Sequence, residues 1–321
     1  MKHESALSSR QASSSLCHPL DISVCIATFR RPQKLSRLLD SLQRLAGLDG
    51  CAIEIVIVDN DAEETARAVV EAVCDNYPHP LRYYVEPRPH FAYARHRTIQ
   101  EARGTWIAII DDDEVAAENW LAAYWQAHIQ HPGDGYFGPV LSRFEQTAPV
   151  WLNRDILSFF FRTPRYATGM RMPAQWLRDG NVFLRRSLFQ THTYDPNFSF
   201  AGCDLELLSR MSDAGATFYA CDEAVTYEYY PPERMRLRWL LQRAFKGGYT
   251  YTRIDKARCP YFFPQALSLA KAIVGMCLFT LMLPFEMFRG LPYVIRRLLQ
   301  IIVQVGHLWQ FCRLGVPKFL T

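Results

Sequence analysis

The 321-residue chain has no Cys-x-x-Cys pair, although it carries nine cysteines. Cys17, Cys25, Cys51, Cys74, Cys203, Cys221, Cys259, Cys277 and Cys312 are scattered, and their number is odd. Zinc sites and disulfide frameworks need closer and paired spacing, so neither is expected. The thiols read as small buried hydrophobes in a reducing compartment. Net charge is scarce too, with 36 basic side chains against 32 acidic ones. That balance leaves no electrostatic footprint for nucleic acid, and no nucleic-acid partner is expected. There is no Gly-x-x-x-x-Gly-Lys-Ser/Thr loop, and no Gly-x-Gly-x-x-Gly follows the first apolar segment. Both absences set aside the familiar phosphate-loop and dinucleotide sites. MKHESALSSRQASSSLCHPL, at the start, lacks the apolar core of a signal peptide. It is expected to be a disordered tail over residues 1–20, leaving the body of the protein in the cytosol.

What the chain does have is alternation. Residues 21–28, 53–58, Leu81–Val85 and Trp106–Ile110 are short, β-branched, apolar runs. Between them lie helical patterns. Leu35, Leu38, Leu39, Leu42 and Leu45 share one face behind Pro32, a residue suited to a helix start. Ala66, Val69, Val70 and Val73 make a second such face, and residues 91–104 a third helix closed by Gly104. Strands that alternate with helices predict an α/β fold with a mainly parallel sheet covered on both faces. Further strands are expected over 136–143 and 181–186 and in ATFYA and AVTYEY, with a helix over 204–213. Residues 148–179, rich in aromatics, proline and arginine, read as irregular structure on an acceptor side.

Two of these strands run into acid: Val58 into Asp59, and Ile110 into Asp111, Asp112, Asp113 and Glu114. Ligands of open parallel sheets bind outside the carboxyl ends of the strands. Two like charges 4 Å apart repel by roughly 4 kcal/mol at an effective dielectric of 20. So these carboxylates either splay into solvent at the start of the next helix, where acids are favourable, or are held by a cation. Hard oxygen ligands suit Mg²⁺ or Mn²⁺. On the triplet alone both readings stand.

Five ordered motifs separate them. SVCIATFRRP, IVIVDND, HFAYARHRTIQEARGTWIAIIDDDE, GNVFLRR and FSFAGCDLELLSRM together resemble family-2 glycosyltransferases of the GT-A fold, a Rossmann-like sheet. The resemblance covers roughly residues 22–248, and within the family it is nearest to exopolysaccharide transferases of the succinoglycan β-glucosyltransferase type. It implies inverting transfer of a hexose from a nucleotide-diphosphate sugar, UDP-glucose by subfamily, with Mn²⁺ or Mg²⁺ as cofactor. It implies Asp113 as metal ligand, with Glu228 as a second candidate where the family often has histidine. Donor contacts fall on Thr28, Arg30, Asp59, Arg95, Asp111 and Asp112, although Asp112 also reads as facing solvent and Asp59 as capping a loop. Arg243 and Lys246 would close over the diphosphate from a segment hinged at Gly247–Gly248. Asp204 aligns with the general base; helix capping is its alternative role. Acceptor contacts fall on Asn181, Cys203, Glu206 and Trp176, with Trp151 and Tyr166 as further stacking candidates. Cys203 departs from the family, which has an acid there, and Glu206 is the residue that would compensate. Two other classes stay open. One is a nucleotidyltransferase on a related sheet, which TFRRP does not favour because it lacks a glycine-rich loop. The other is a membrane-bound scaffold with a decayed site.

The catalytic domain is expected over 21–250 and membrane-associated helices over 251–321. Residues 266–283 are apolar apart from Lys271 and a few hydroxyls, close to the ~20 residues that cross a bilayer. From Met287 onward there are five basic residues and no acid. A hairpin or in-plane seat on the cytoplasmic face of the inner membrane is expected, with a dimerisation hairpin as the alternative. A saccharide acceptor on a polyprenyl diphosphate, implied by the family, would lie at that surface.

Overall fold

The computed structural model describes residues 21–48, 50–153, 156–157, 160–161, 165–198 and 202–312. The expected tail, 1–20, lies outside the described residues. Four parallel strands form the first half of the sheet: β1 (Ile22–Thr28), β2 (Ile53–Asp59), β3 (Leu81–Val85) and β4 (Trp106–Ile110). β8 (Asn181–Arg185) runs antiparallel to both β4 and β6 (Gly135–Phe137), and β9 (Phe218–Ala220) runs parallel to β6. The order across the seven strands is β3-β2-β1-β4-β8-β6-β9. A second sheet of three strands, β5 (Glu114–Ala116), β10 (Thr226–Tyr230) and β7 (Val140–Phe144), is ordered β5-β10-β7.

Strand chemistry explains the placement. β1, β2 and β4 are apolar on nearly every residue and sit inside the sheet, while β3, at the edge, is only half-buried. Side chains alternate between faces with period two. Val24 and Ile26 join one core with the leucines of α1 (Pro32–Leu42), and Cys25 joins the other with Ile99 of α3 (Phe91–Glu101). Each fully buried leucine of α1 contributes about 1.5–3 kcal/mol relative to exposure. α2 (Arg67–Cys74) and α4 (Trp120–Gln130) complete the first layer, and α5 (Cys203–Asp213) packs on the second.

Several expectations change. Residues 136–143 are not one strand. The chain breaks at Gly138–Pro139, where a β-carbon on Gly138 would lie 2.1 Å from the Ala224 carbonyl oxygen. β6 and β7 therefore enter different sheets. Gly104 does not close α3, which ends at Glu101; it lets the chain pass against β1, where a β-carbon would lie 2.5 Å from the Ser23 amide nitrogen. β5 is a strand the acidic run had hidden.

Three long helices follow: α6 (Leu237–Arg258), α7 (Phe262–Met287) and α8 (Leu291–Phe311). α6 is unbroken through Gly247–Gly248, so these glycines are not a hinge. Gly248 and Gly306 instead allow α6 and α8 to cross closely. Added β-carbons would stand 2.0 Å from the Val303 oxygen and 2.2 Å from the Phe245 oxygen. The boundary expected at residue 250 falls inside α6. A third core, with Phe161, Tyr230, Leu240, Ile295 and Leu299, fastens the helices to the second sheet. α7 packs on α8 and leaves Ile273, Val274, Leu278, Leu281 and Phe285 exposed. It is the one helix among the described residues long and apolar enough to cross a membrane.

Candidate active site

A cavity of about 1080 Å³ opens beyond the carboxyl end of β4, walled by β8, α5 and α6. Register explains its acidity. Ile110 pairs with Asn181, which sets Asp111, just after β4, beside Asp179 and Gly180, just before β8. A β-carbon on Gly180 would lie 3.2 Å from Asp111 Oδ2 and 3.1 Å from Glu114 Oε1, so the glycine leaves room for both acids. Arg95, buried on α3, makes ion pairs with Asp111 and, at 3.1 Å, with Asp179. Burial alone would lower the Arg95 pKa, but Asp179 and Asp111 outweigh it and keep the guanidinium charged. Asp111 is 40 % exposed along its side chain, yet desolvation in the cavity raises its pKa against the pull of Arg95. Asp179 is pushed up to about 7 by burial, and accepts a 2.8 Å hydrogen bond from Tyr194.

The other two aspartates have different partners. Asp112 is buried, not solvent-facing: it accepts hydrogen bonds from Thr28 Oγ1 at 2.9 Å and Arg31 at 3.0 Å. Those bonds tie the turn after β1 to the end of β4. Asp113 is ringed by Arg234 at 3.1 Å, Lys34 at 3.2 Å and Arg31 at 3.4 Å. Burial would raise its pKa, but the three cations lower it. Arg234 also reaches Glu228 Oε1 at 2.6 Å, so one guanidinium stands between the two carboxylates chosen as metal ligands. It is a stand-in cation for that pair. Mg²⁺ commonly takes one or two carboxylates and completes its shell with substrate phosphates, so the donor set fits a hard divalent ion. Among the described residues no group of three or more His, Cys, Asp or Glu could hold a metal unaided.

Asp204 lines the cavity in the first turn of α5. It caps nothing: Gly202, at φ 85°, holds the N-cap position, and no side-chain capping bond forms. The Asp204 carboxylate accepts no hydrogen bond among the described residues, and its charge helps push Asp111 and Asp179 up. The helix N-terminus favours the anion. Arg243 and Lys246 line the same cavity from α6, where Arg243 stacks 5.2 Å over Trp239 and burial lowers the Lys246 pKa. Trp176 is 46 % exposed and stacks on Tyr166 with ring centroids 4.9 Å apart and 9° between the ring planes, making a flat aromatic face on the cavity wall.

Five expected contact residues are buried or engaged by neighbours within the chain. The Asn181 amide is saturated: Oδ1 accepts from Trp120 Nε1 at 2.7 Å and Tyr124 at 2.6 Å, and Nδ2 donates to the Pro139 and Ala224 carbonyls. It braces the sheet and has no bond left for an acceptor. Glu206 is taken by Arg210 at 2.5 Å and does not line the cavity, so it does not compensate for Cys203. Cys203 is fully buried, and burial pushes its thiol pKa up. Asp59 is fully buried and accepts from the Asp61 and Ala66 amides and the Tyr83 hydroxyl, which is the loop-capping role. Arg30, at φ 52°, pairs with Asp61 at 3.0 Å beside it.

Sequence reading missed Asp179, Glu114 and Arg234. Glu114 is buried, bonded by Thr226 at 2.6 Å, and burial with Asp111 nearby raises its pKa well above the usual range. Thr250, whose buried hydroxyl has no partner among the described residues, also lines the cavity. The Asp-Gly pair ahead of a strand was the available signal for Asp179; the others depend on tertiary contact.

A mainly parallel sheet with an acidic site at its carboxyl edge defines the GT-A class. The family model for glycosyl transferase family 2 matches residues 23–203, and the chain belongs to that family. It is 30% identical over 266 residues to the succinoglycan biosynthesis protein ExoM of Rhizobium meliloti (strain 1021), covering 80% of this chain and 82% of ExoM. Its fold is similar to the mannosyltransferase PcManGT of Pyrobaculum calidifontis, solved with GDP-Man and Mn²⁺. The TM-score is 0.61 and the identity 14%, over 93% of this chain and 89% of that one. It is also similar to residues 1–349 of S. aureus TarS, solved with UDP, at a TM-score of 0.52 and 13% identity over 93% and 95% of the two chains. The family and the ExoM likeness support glycosyl transfer in exopolysaccharide synthesis. They leave the nucleotidyltransferase alternative without support.

Proposed function

We propose that this chain transfers a hexose, with inversion, from a UDP-sugar to a lipid-linked saccharide at the cytoplasmic face of the membrane. The observation that carries the reading is Asp204: a carboxylate on the wall of the cavity, in the first turn of a helix, with no hydrogen-bond or ion-pair partner among the described residues. Inversion needs a base to take the acceptor hydroxyl proton opposite the leaving group. Asp204 supplies that base, and Arg95 holds Asp111 in place at the end of β4. Asp113 and Glu228 would hold Mn²⁺ or Mg²⁺ in the place of the Arg234 guanidinium. Such an ion neutralises charge that develops on a departing diphosphate. Arg243 and Lys246 offer further positive charge on the same cavity. The Tyr166–Trp176 stack offers a flat apolar face to an acceptor sugar. PcManGT and TarS, solved with a nucleotide sugar and a nucleotide, support this class of donor. The apolar face of α7 supports a membrane seat.

The test is product analysis. Detergent-purified protein is given a panel of radiolabelled nucleotide sugars and a lipid extract. Label should enter the lipid fraction from a UDP-hexose and stay in solution with Asp204→Asn. Absence of transfer from every donor, or full activity in Asp204→Asn, would overturn the reading.

A further inference from the structure

A second cavity, of about 510 Å³, opens between α6, α7 and α8. It adjoins the catalytic cavity, because Tyr251 and His307 line both. Its α7 wall is apolar at Leu267, Ala272 and Phe279, with Lys271 set among them. Lys271 is the only charged side chain between Arg258 and Glu286. It is exposed, and among the described residues it makes no hydrogen bond or ion pair. An acid and a histidine also face this space, with Tyr251 and Cys259. Asp255 comes from α6 and does not reach Lys271 within ion-pair distance. His307 comes from α8; its Nδ1 meets the Thr252 hydroxyl at 2.7 Å, and burial lowers its pKa against the pull of Asp255. Among the described residues, Lys271 is the one lysine or arginine in the cavity wall.

A lysine within a long apolar helix is costly, by roughly 2.5–3.5 kcal/mol at a bilayer centre, and such residues mark ligand sites by default. Here the lysine stands at the join of two chemistries. On one side is the exposed apolar face of α7; on the other, across Tyr251 and His307, is the cavity that Asp204 lines. We propose that this second cavity seats the phosphate-bearing head of an isoprenoid amphiphile. Lys271 pairs with the phosphate, the hydrocarbon tail leaves along α7, and the attached saccharide enters the catalytic cavity past Tyr251 and His307. The inference rests on the proposed lipid-linked acceptor and says where on this chain its head group is held.

The experiment measures binding to the full chain in detergent micelles. The probes are farnesyl diphosphate, inorganic pyrophosphate and farnesol, with UDP plus Mn²⁺ titrated in parallel to report an intact donor site. Farnesyl diphosphate should bind at least about tenfold more tightly than either fragment, because it alone meets both halves of the site. Lys271→Gln should weaken farnesyl diphosphate by about tenfold or more, the loss of one charge-assisted contact, and leave farnesol unchanged. Ser268→Phe, which fills the cavity, should weaken both. Parent-like affinity in Lys271→Gln overturns the proposal, as does pyrophosphate binding as tightly as farnesyl diphosphate. If Lys271→Gln does not fold, a diazirine-bearing farnesyl diphosphate decides on the parent chain. Adducts on α6 or α7 peptides support the site, and adducts confined to residues 21–236 overturn it. Farnesyl diphosphate binding without any UDP binding would sink the glycosyl-transfer reading and leave this site standing.

Discussion

Asp204 and Asp179 are both carboxylates of one cavity, and their surroundings give them different work. Asp204 has no partner among the described residues, which suits the proposed proton acceptor. Asp179 is locked between Arg95 and Tyr194. Asp204→Asn should lower transfer by about 10²–10⁴-fold, the usual range for a general base, while UDP affinity measured by calorimetry stays near the parent value. Asp179 carries a pH signature. Its pKa is about 7 in the folded chain, against an ordinary value near 3.8, so folding takes up a proton between those limits. The unfolded chain binds fewer protons there, so this group's contribution to stability is full below the lower value and is lost as pH rises through 7. Asp179→Asn cannot lose it. The Tm of the variant minus that of the parent should therefore increase from pH 5 to pH 8 in thermal scans; a flat difference would show that Asp179 stays ionised. Asn181 shows the limit of residue-level reading. Its position among the motifs suggested an acceptor contact, but four internal hydrogen bonds make it a brace. Asn181→Ala should destabilise by on the order of 3–5 kcal/mol in denaturant melts, since several buried groups lose partners. A side chain's free valences depend on neighbours 40 to 60 residues away, and no local pattern displays them.

Elements were more legible than side chains. The four parallel strands and α1 declare themselves through β-branched runs and leucine spacing, because strand and helix periodicities are local. The acidic run was legible as a strand-end site for the same reason. What failed were the glycines. Gly104 and the Gly247–Gly248 pair read as a stop and a hinge; Gly104 and Gly248 turned out to be close approaches between backbones, while Gly247 borders open space inside an unbroken helix. Spacing cannot separate these uses of a missing β-carbon. Gly306→Leu should force α6 and α8 apart, costing about 1–3 kcal/mol by overpacking and lowering Tm by several degrees. An unchanged Tm would mean that the helices are not held at this distance.

At the scale of the molecule, one end of the chain builds an acidic cavity and the other an apolar hairpin, joined by α6, which lines the cavity with Arg243 and Lys246 and packs on α8. The hairpin was legible as composition, a long apolar run followed by basic residues without acids. Its packing against α6 was not, because that requires the Gly248–Gly306 crossing. If the exposed face of α7 meets lipid, Leu281→Glu with Phe285→Glu should move the protein from the floating to the soluble fraction in liposome flotation; persistent flotation would assign that face elsewhere. The proposed metal-bearing donor site is tested by calorimetry of UDP with and without Mn²⁺, in the parent chain and in Asp113→Ala. We expect Mn²⁺-dependent binding in the parent and little or none in Asp113→Ala of matched Tm. Equal UDP affinity with and without the ion, or an unaltered response in the variant, would contradict the assignment of Asp113 and Glu228 to a cation.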